Sequence, residues 1–112
     1  MNTETPLEIS ATEVQALLRD DGTALLDCRE AEEYELARID GAVLVPMSEI
    51  ADRLAELEAH RHSRLVVYCH HGARSLRVAR WLRQQNFPLA QSMTGGIDGW
   101  SLEIDPQVPR YG

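Results

Sequence analysis

Short apolar runs alternate with amphipathic stretches along the chain, and the two patterns predict different elements. Short runs of mostly apolar residues, bounded by turn residues, are typical of buried strands. Five runs of this kind predict strands over residues 7–9, 23–28, 42–45, 64–69 and 90–93.

The stretches between these runs repeat apolar residues at helical spacing. In the first of them, Ser10 and Glu13 form a capping box ahead of an apolar stripe over residues 14–18. Residues 70–74, which contain a glycine, are predicted to form a loop. Further helices are predicted over residues 30–37, from Ser48 through Leu57, over 75–86, and in a last short segment that ends at Trp100.

Strands that alternate with helices predict an α/β fold. The expected architecture is a single domain with a roughly five-stranded, mostly parallel sheet and helices on both faces. The domain is expected to occupy residues 1–112, with a core over about 7–104. Two prolines and a glycine after Asp105 predict that residues 105–112 form a tail.

Composition narrows the range of partners and locations. A chain of 112 residues has room for one core, and 44% apolar with 26% charged residues is ordinary for a globular domain. The formal charge of −7 argues against nucleic acid and anionic membranes as partners. No apolar run approaches the length of a membrane span, and the first residues lack a signal peptide pattern, so we expect a cytoplasmic protein.

Two cysteines are too few for a disulfide scaffold, which leaves each thiol free to react. Cys69 ends a predicted strand and precedes a loop and a helix. Gly72 lets that loop turn tightly, so that backbone N–H groups can converge on the thiol. With the helix N-terminus, this setting lowers a cysteine pKa from about 8.5 into the range of roughly 3.5 to 7.5. Cys69 is therefore a candidate thiolate nucleophile; the alternative is a small buried apolar residue.

Four segments between residues 27 and 100 together resemble the single-domain rhodaneses, a family of sulfurtransferases. Residues 68–75, Tyr-Cys-His-His-Gly-Ala-Arg-Ser, are similar to the active-site loop of that family. Residues 27–30 match its Asp-x-Arg segment, and residues 95–100 match its Gly-Gly-x-x-x-Trp ending. Residues 38–42, Arg-Ile-Asp-Gly-Ala, resemble its His-Ile-Pro-Gly-Ala turn with two substitutions.

The resemblance implies a reaction and a set of site residues. Cys69 would attack the outer sulfur of thiosulfate or a persulfide, hold it as a persulfide, and pass it to a thiol, cyanide or a sulfur-carrier protein. No cofactor is implied. The resemblance assigns substrate binding to the active-site loop, which comprises His70, His71, Gly72, Ala73, Arg74 and Ser75.

Two other functions are compatible with the same fold. Four residues separate Cys69 from Arg74, whereas the related phosphatases of the cell-cycle dual-specificity type have a loop one residue longer. That length favours sulfur transfer over phosphatase or arsenate reductase chemistry. A non-catalytic binding or regulatory module is the third possibility, disfavoured by the intact cysteine and loop.

The sequence allows two roles for each of the charged side chains expected near Cys69. Arg74 opposes the dipole at its helix start, so it either binds an anion or braces the loop through a carboxylate such as Asp27 or Glu30. Asp27 and Arg29 either support the site or form a structural pair.

Cys28 and the paired histidines allow two interpretations each. Cys28 is interpreted as a core residue, with a second redox thiol as the alternative. His70 and His71 lack metal-ligand spacing, so no metal is expected, and a partial positive charge on them would recruit anions.

Overall fold

The computed structural model describes residues 5–19 and 22–112. It contains five strands: β1 (Glu8–Ile9), β2 (Thr23–Asp27), β3 (Val43–Leu44), β4 (Arg64–Tyr68) and β5 (Ala90–Met93). They form one sheet in the order β1-β5-β4-β2-β3, and every pair is parallel. The predicted five-stranded α/β architecture is confirmed, and the sheet is wholly parallel.

The helices are α1 (Ala11–Leu17), α2 (Ala31–Leu36), α3 (Ala73–Gln84) and α4 (Gly96–Glu103), with a 3₁₀ helix over Leu54–His60. Apolar residues on the two faces of the sheet belong to two separate core clusters. One cluster includes Leu26, Val67 and Leu82 and joins the sheet to α3 and the 3₁₀ helix. The other includes Val14, Val66 and Trp100 and joins it to α1 and α4. Helices on both faces follow from parallel crossovers.

Local signals placed α1 correctly. Ser10 accepts a hydrogen bond from the N–H of Glu13 at 3.1 Å, and the Glu13 carboxylate accepts from the N–H of Ser10 at 3.2 Å. This is the predicted capping box, which satisfies two N–H groups that a helix start leaves without partners. The start of α1 was therefore predictable from the sequence, because the residues that cap it are at the helix start itself.

The prediction of a helix capped by Ser48 is wrong. Residues 48–53 form turns, and the Ser48 hydroxyl donates to Glu30 at 3.2 Å instead of accepting from an N–H at a helix start. The helical segment that follows is of the 3₁₀ type, with ion pairs from Arg53 to Glu56 and from Arg61 to Glu58. Such pairs match a helix with three residues per turn.

Residues 105–112 have no regular secondary structure, but they pack against the domain. Val108 is buried in the cluster that includes Trp100, and Arg110 forms an ion pair with Asp98 at 2.8 Å. The segment predicted to be a tail therefore contributes to the core, and it reaches the loop after β4, where His70 Nε2 lies 2.9 Å from the Tyr111 carbonyl oxygen. Residues 1–4, which underlie the expectation of no signal peptide, lie outside the described residues. Within the described residues, no helix is long and apolar enough to cross a bilayer.

Candidate active site

Cys69 directly follows β4, at the C-terminal end of the parallel strands. Gly72 adopts a positive φ of 113°, a conformation that side chains disfavour, and it turns the chain into α3. The helix begins at Ala73, earlier than the predicted start at residue 75. Arg74 consequently lies in the first helical turn rather than in the loop, next to Ser75, and that turn faces Cys69.

The sulfur of Cys69 accepts hydrogen bonds from this turn. The N–H of Gly72 lies 3.1 Å from Sγ and the N–H of Ser75 lies 3.3 Å from it. The Ser75 hydroxyl is 3.5 Å from the same sulfur. N–H groups at a helix start carry partial positive charge and lack helical acceptors, so they stabilise an anion placed there. The predicted convergence of backbone donors on Cys69 is present in the geometry.

The Cys28 thiol is a further neighbour of this sulfur. A hydrogen bond from Cys28, followed by those from Ser75 and Gly72, outweighs the effect of burial and lowers the pKa of Cys69 from 9.0 to about 4. The Cys28 Sγ also lies 3.4 Å from the carbonyl oxygen of Tyr68, so its single proton has two acceptors, of which only the thiolate is charged. At neutral pH Cys69 is therefore a thiolate, the reactive form of cysteine.

Ser92 on β5 extends the set of donors. Its hydroxyl oxygen lies 2.7 Å from that of Ser75, and both side chains are fully buried. When Ser92 donates to Ser75, the proton of Ser75 is shared between two acceptors, the sulfur of Cys69 and the carbonyl oxygen of Gly72 at 3.2 Å. Ser92 was not among the predicted site residues, because a serine in a short strand carries no distinctive pattern.

Arg74 is held by a carboxylate. Its two terminal nitrogens lie 2.7 and 2.9 Å from the two oxygens of Glu33, a two-point ion pair between α3 and α2. This hydrogen bonding, with that from Tyr111, overcomes burial and lowers the pKa of Glu33 to about 2. The carboxylates named from the sequence have other partners: Asp27 binds Arg29, and Glu30 accepts from Ser48.

Asp27, the last residue of β2, and Arg29 form a fully buried ion pair. The guanidinium donates to both carboxylate oxygens at 2.9 and 2.6 Å, and Tyr68 adds a hydrogen bond at 3.0 Å. Burial opposes the charge of Arg29, but the hydrogen bonds to Asp27 and Tyr111 keep its pKa above the ordinary value. These two residues do not contact Cys69 through hydrogen bonds, so their geometry is that of a support for the loops around it.

Tyr111 connects this buried pair to the loop after Cys69. Its hydroxyl accepts from Arg29 at 2.9 Å and donates to Glu33 at 2.6 Å, while its ring stacks on His70 with a centroid distance of 3.9 Å. His70 Nε2 is also 2.9 Å from the Tyr111 carbonyl oxygen. The composition of the last residues gave no signal for this role, since only the fold brings Tyr111 to the site.

Gly96 lies directly beneath the loop. A Cβ at this position would overlap the carbonyl oxygens of Cys69 and His70, and its φ is positive at 59°. The close approach lets α4 hold the loop, because the N–H of Ile97 donates to Cys69 at 2.8 Å and that of Asp98 donates to His70 at 3.1 Å. Gly96, the second glycine of the Gly-Gly pair, therefore allows α4 to lie this close to the loop.

The remaining loop side chains are open to solvent. His71 is two-thirds exposed, with Nδ1 4.0 Å from an Asp98 oxygen, and Ala73 is exposed. In residues 5–19 and 22–112, no group of three or more His, Cys, Asp or Glu side chains has an arrangement able to hold a metal ion.

Comparison with known proteins finds a family model and relatives that match most of this chain. A family model described as Rhodanese-like domain matches residues 10–103. The rhodanese-like/PpiC domain-containing protein 12, chloroplastic, of Arabidopsis thaliana is 32% identical over an alignment 112 positions long, which covers 93% of this chain and 37% of that protein. The chain thus spans little more than a third of that curated relative.

Two solved structures are similar over most of this chain. A thiosulfate sulfurtransferase from Pseudomonas aeruginosa has a TM-score of 0.79 and 32% identity, covering 95% of this chain and 20% of that one. A rhodanese-related protein from Thermoplasma volcanium has a TM-score of 0.79 and 27% identity, covering 97% of this chain and 100% of that one.

Proposed function

The chain belongs to the rhodanese-like domain family, and we propose that it is a sulfurtransferase that carries sulfur as a persulfide on Cys69. The observation that carries this proposal is the group of donors around one buried sulfur: the N–H groups of Gly72 and Ser75 and the Ser75 hydroxyl. The name of the similar thiosulfate sulfurtransferase supports sulfur transfer as the reaction class.

In the first step, the Cys69 thiolate attacks the outer sulfur of thiosulfate. A sulfur–sulfur bond forms on Cys69 Sγ, and the bond within thiosulfate breaks, so that sulfite leaves with the electron pair. The negative charge then resides on the terminal sulfur of the persulfide. N–H groups of the first turn of α3, which have no acceptors within the helix, are placed to stabilise that charge.

In the second step, an acceptor nucleophile attacks the terminal sulfur, and Cys69 leaves as a thiolate. Its low pKa favours departure, because a stabilised thiolate is a good leaving group. Acceptors of this class are thiols, cyanide and the reactive group of a sulfur-carrier protein. The proposal includes a cytoplasmic location, where a reducing environment keeps both cysteines as thiols.

Intact mass spectrometry after exposure to thiosulfate tests the proposal. The wild-type chain is expected to gain one sulfur, about 32 Da, and to lose it on treatment with a thiol reductant. Cys69→Ser is expected to gain nothing and to lose turnover with thiosulfate and cyanide. Absence of the adduct in a folded wild-type protein, or turnover of an aryl phosphate instead, would overturn the assignment.

A further inference from the structure

Cys28 and Cys69 directly follow the adjacent strands β2 and β4, at positions that continue the pairing of those strands. In the register of β2 and β4, Leu26 lies opposite Val67 and Asp27 lies opposite Tyr68, so the next pair is the two cysteines. The ladder reaches them, because the N–H of Cys28 donates to the carbonyl of Tyr68 at 3.1 Å. Neighbouring strands lie about 4.8 Å apart, within the Cα separation of about 4.4–6.8 Å that a disulfide spans.

The two side chains also point to the same face of the sheet. Side chains alternate along a strand, so each cysteine shares the face of the residue two positions before it, Leu26 or Val67. All four residues belong to one core cluster, and both cysteines are at most 1% exposed. Both sulfurs therefore lie on the same side of the sheet, where rotation of the side chains can bring them toward each other.

We propose that Cys28 is a resolving thiol, which closes a Cys28–Cys69 disulfide and releases sulfide when no acceptor takes the sulfur. This inference rests on the proposed persulfide on Cys69. The Cys28 sulfur attacks Sγ of Cys69, the bond from Sγ to the terminal sulfur breaks, and the terminal sulfur leaves with its electron pair. It takes the proton of Cys28 and departs as HS⁻, so the step needs no external oxidant.

The negative charge on the Cys69 sulfur keeps Cys28 protonated, and therefore a poor nucleophile, until Cys69 carries the persulfide. In the resting state its hydrogen bond to Cys69, its burial and the charge of that thiolate raise the pKa of Cys28 far above its ordinary value. Formation of the persulfide moves the negative charge from Sγ to the terminal sulfur, away from Cys28. The same step makes Sγ part of a sulfur–sulfur bond, which is the target of thiol–disulfide exchange.

The test follows the fate of the persulfide in wild type and in Cys28→Ser, which keeps a hydrogen-bond donor but cannot form a disulfide. Dilute protein without reductant is loaded with thiosulfate, the donor is removed, and intact mass is followed over time. Both proteins are expected to gain about 32 Da. The wild type alone then falls to about 2 Da below its starting mass and releases an equal amount of sulfide.

Peptide mapping identifies the bond without relying on any variant. Trypsin cleaves after Arg19, Arg29, Arg64 and Arg74, so the disulfide links residues 20–29 to residues 65–74 in a non-reducing digest.

A disulfide between two molecules, or a wild-type adduct that persists as long as in Cys28→Ser, overturns the resolving role and leaves the proposed function intact. Failure of both proteins to gain the adduct overturns the proposed function and this step with it. Cys28→Ala repeats the comparison if the serine variant does not fold.

Discussion

The guanidinium of Arg74 and the carboxylate of Glu33 meet at two points, with nitrogen–oxygen distances of 2.7 and 2.9 Å. This pair joins the first turn of α3, which carries the donors to Cys69, to α2 on a separate part of the chain. Because both terminal nitrogens of Arg74 are engaged, the geometry favours the bracing interpretation of Arg74 over direct recognition of a substrate anion.

Arg74→Lys is expected to lower stability and to impair all sulfur donors alike. Lysine presents a single ammonium group and cannot reproduce the two-point contact. The pair is only partly buried, so its loss should cost on the order of 1 kcal/mol. The measurements are the melting temperature and kcat/KM for thiosulfate and for an uncharged persulfide. Glu33→Gln is the matched variant and should show the same pattern, whereas a rise in KM confined to thiosulfate with Arg74→Lys would indicate substrate recognition.

The Cys69 thiol should titrate with a midpoint near pH 4. The ultraviolet absorption of the thiolate, taken as the difference between wild type and Cys69→Ser, measures this midpoint. Cys28→Ala is expected to move it upward because the largest favourable hydrogen bond is lost, and Cys28→Ser should move it less. A midpoint near 9 in the wild type would show that the surrounding donors do not stabilise the charge.

The same titration makes stability depend on pH. The pKa of Cys69 is lower in the folded chain than its ordinary value of 9.0, so the folded state is the one that favours the thiolate. Its contribution to the free energy of unfolding is complete above pH 9.0 and is lost as pH falls toward about 4. Urea unfolding at several pH values, compared with Cys69→Ser, should show this slope in the wild type alone.

Asp27→Asn is expected to destabilise the fold strongly. The substitution leaves the fully buried guanidinium of Arg29 without a compensating charge, which typically costs about 3–5 kcal/mol. Tyr68→Phe removes a neutral hydroxyl from the same carboxylate and should cost less, about 1–3 kcal/mol. Chemical denaturation measures both losses. Equal losses for the two variants would contradict a dominant role for the buried charge.

Gly96→Ala is expected to disrupt the loop after Cys69, whereas Gly95→Ala serves as the matched control. Both glycines have positive φ, so both substitutions add backbone strain. Only a Cβ at Gly96 would also overlap the carbonyl oxygens of Cys69 and His70; at Gly95 the nearest atom lies at 3.6 Å. The amount of persulfide formed after thiosulfate should therefore fall much further in Gly96→Ala. Similar amounts in the two variants would mean that the close approach has no effect on the site.

The sequence by itself determined the features whose causes lie in consecutive residues. The strands and the capping box of α1 depend on local backbone geometry. The setting of Cys69 does so too, because Gly72 and the start of the following helix lie within a few residues of it. The parallel α/β architecture was also predictable, because strands that alternate with helices along a chain typically form a parallel sheet. The order of the strands was not, because any parallel arrangement satisfies the same pattern.

Tertiary structure decided which distant residues meet at the site. The adjacency of β2 and β4 brings Cys28 beside Cys69, and the placement of α2 near the first turn of α3 gives Arg74 its partner Glu33, 41 residues away. Tyr111 reaches Glu33 across 78 residues from a segment that the sequence predicts to be a tail. A charged or hydroxyl side chain can pair with many partners of similar energy, so only the packing of the strands and helices selects among them.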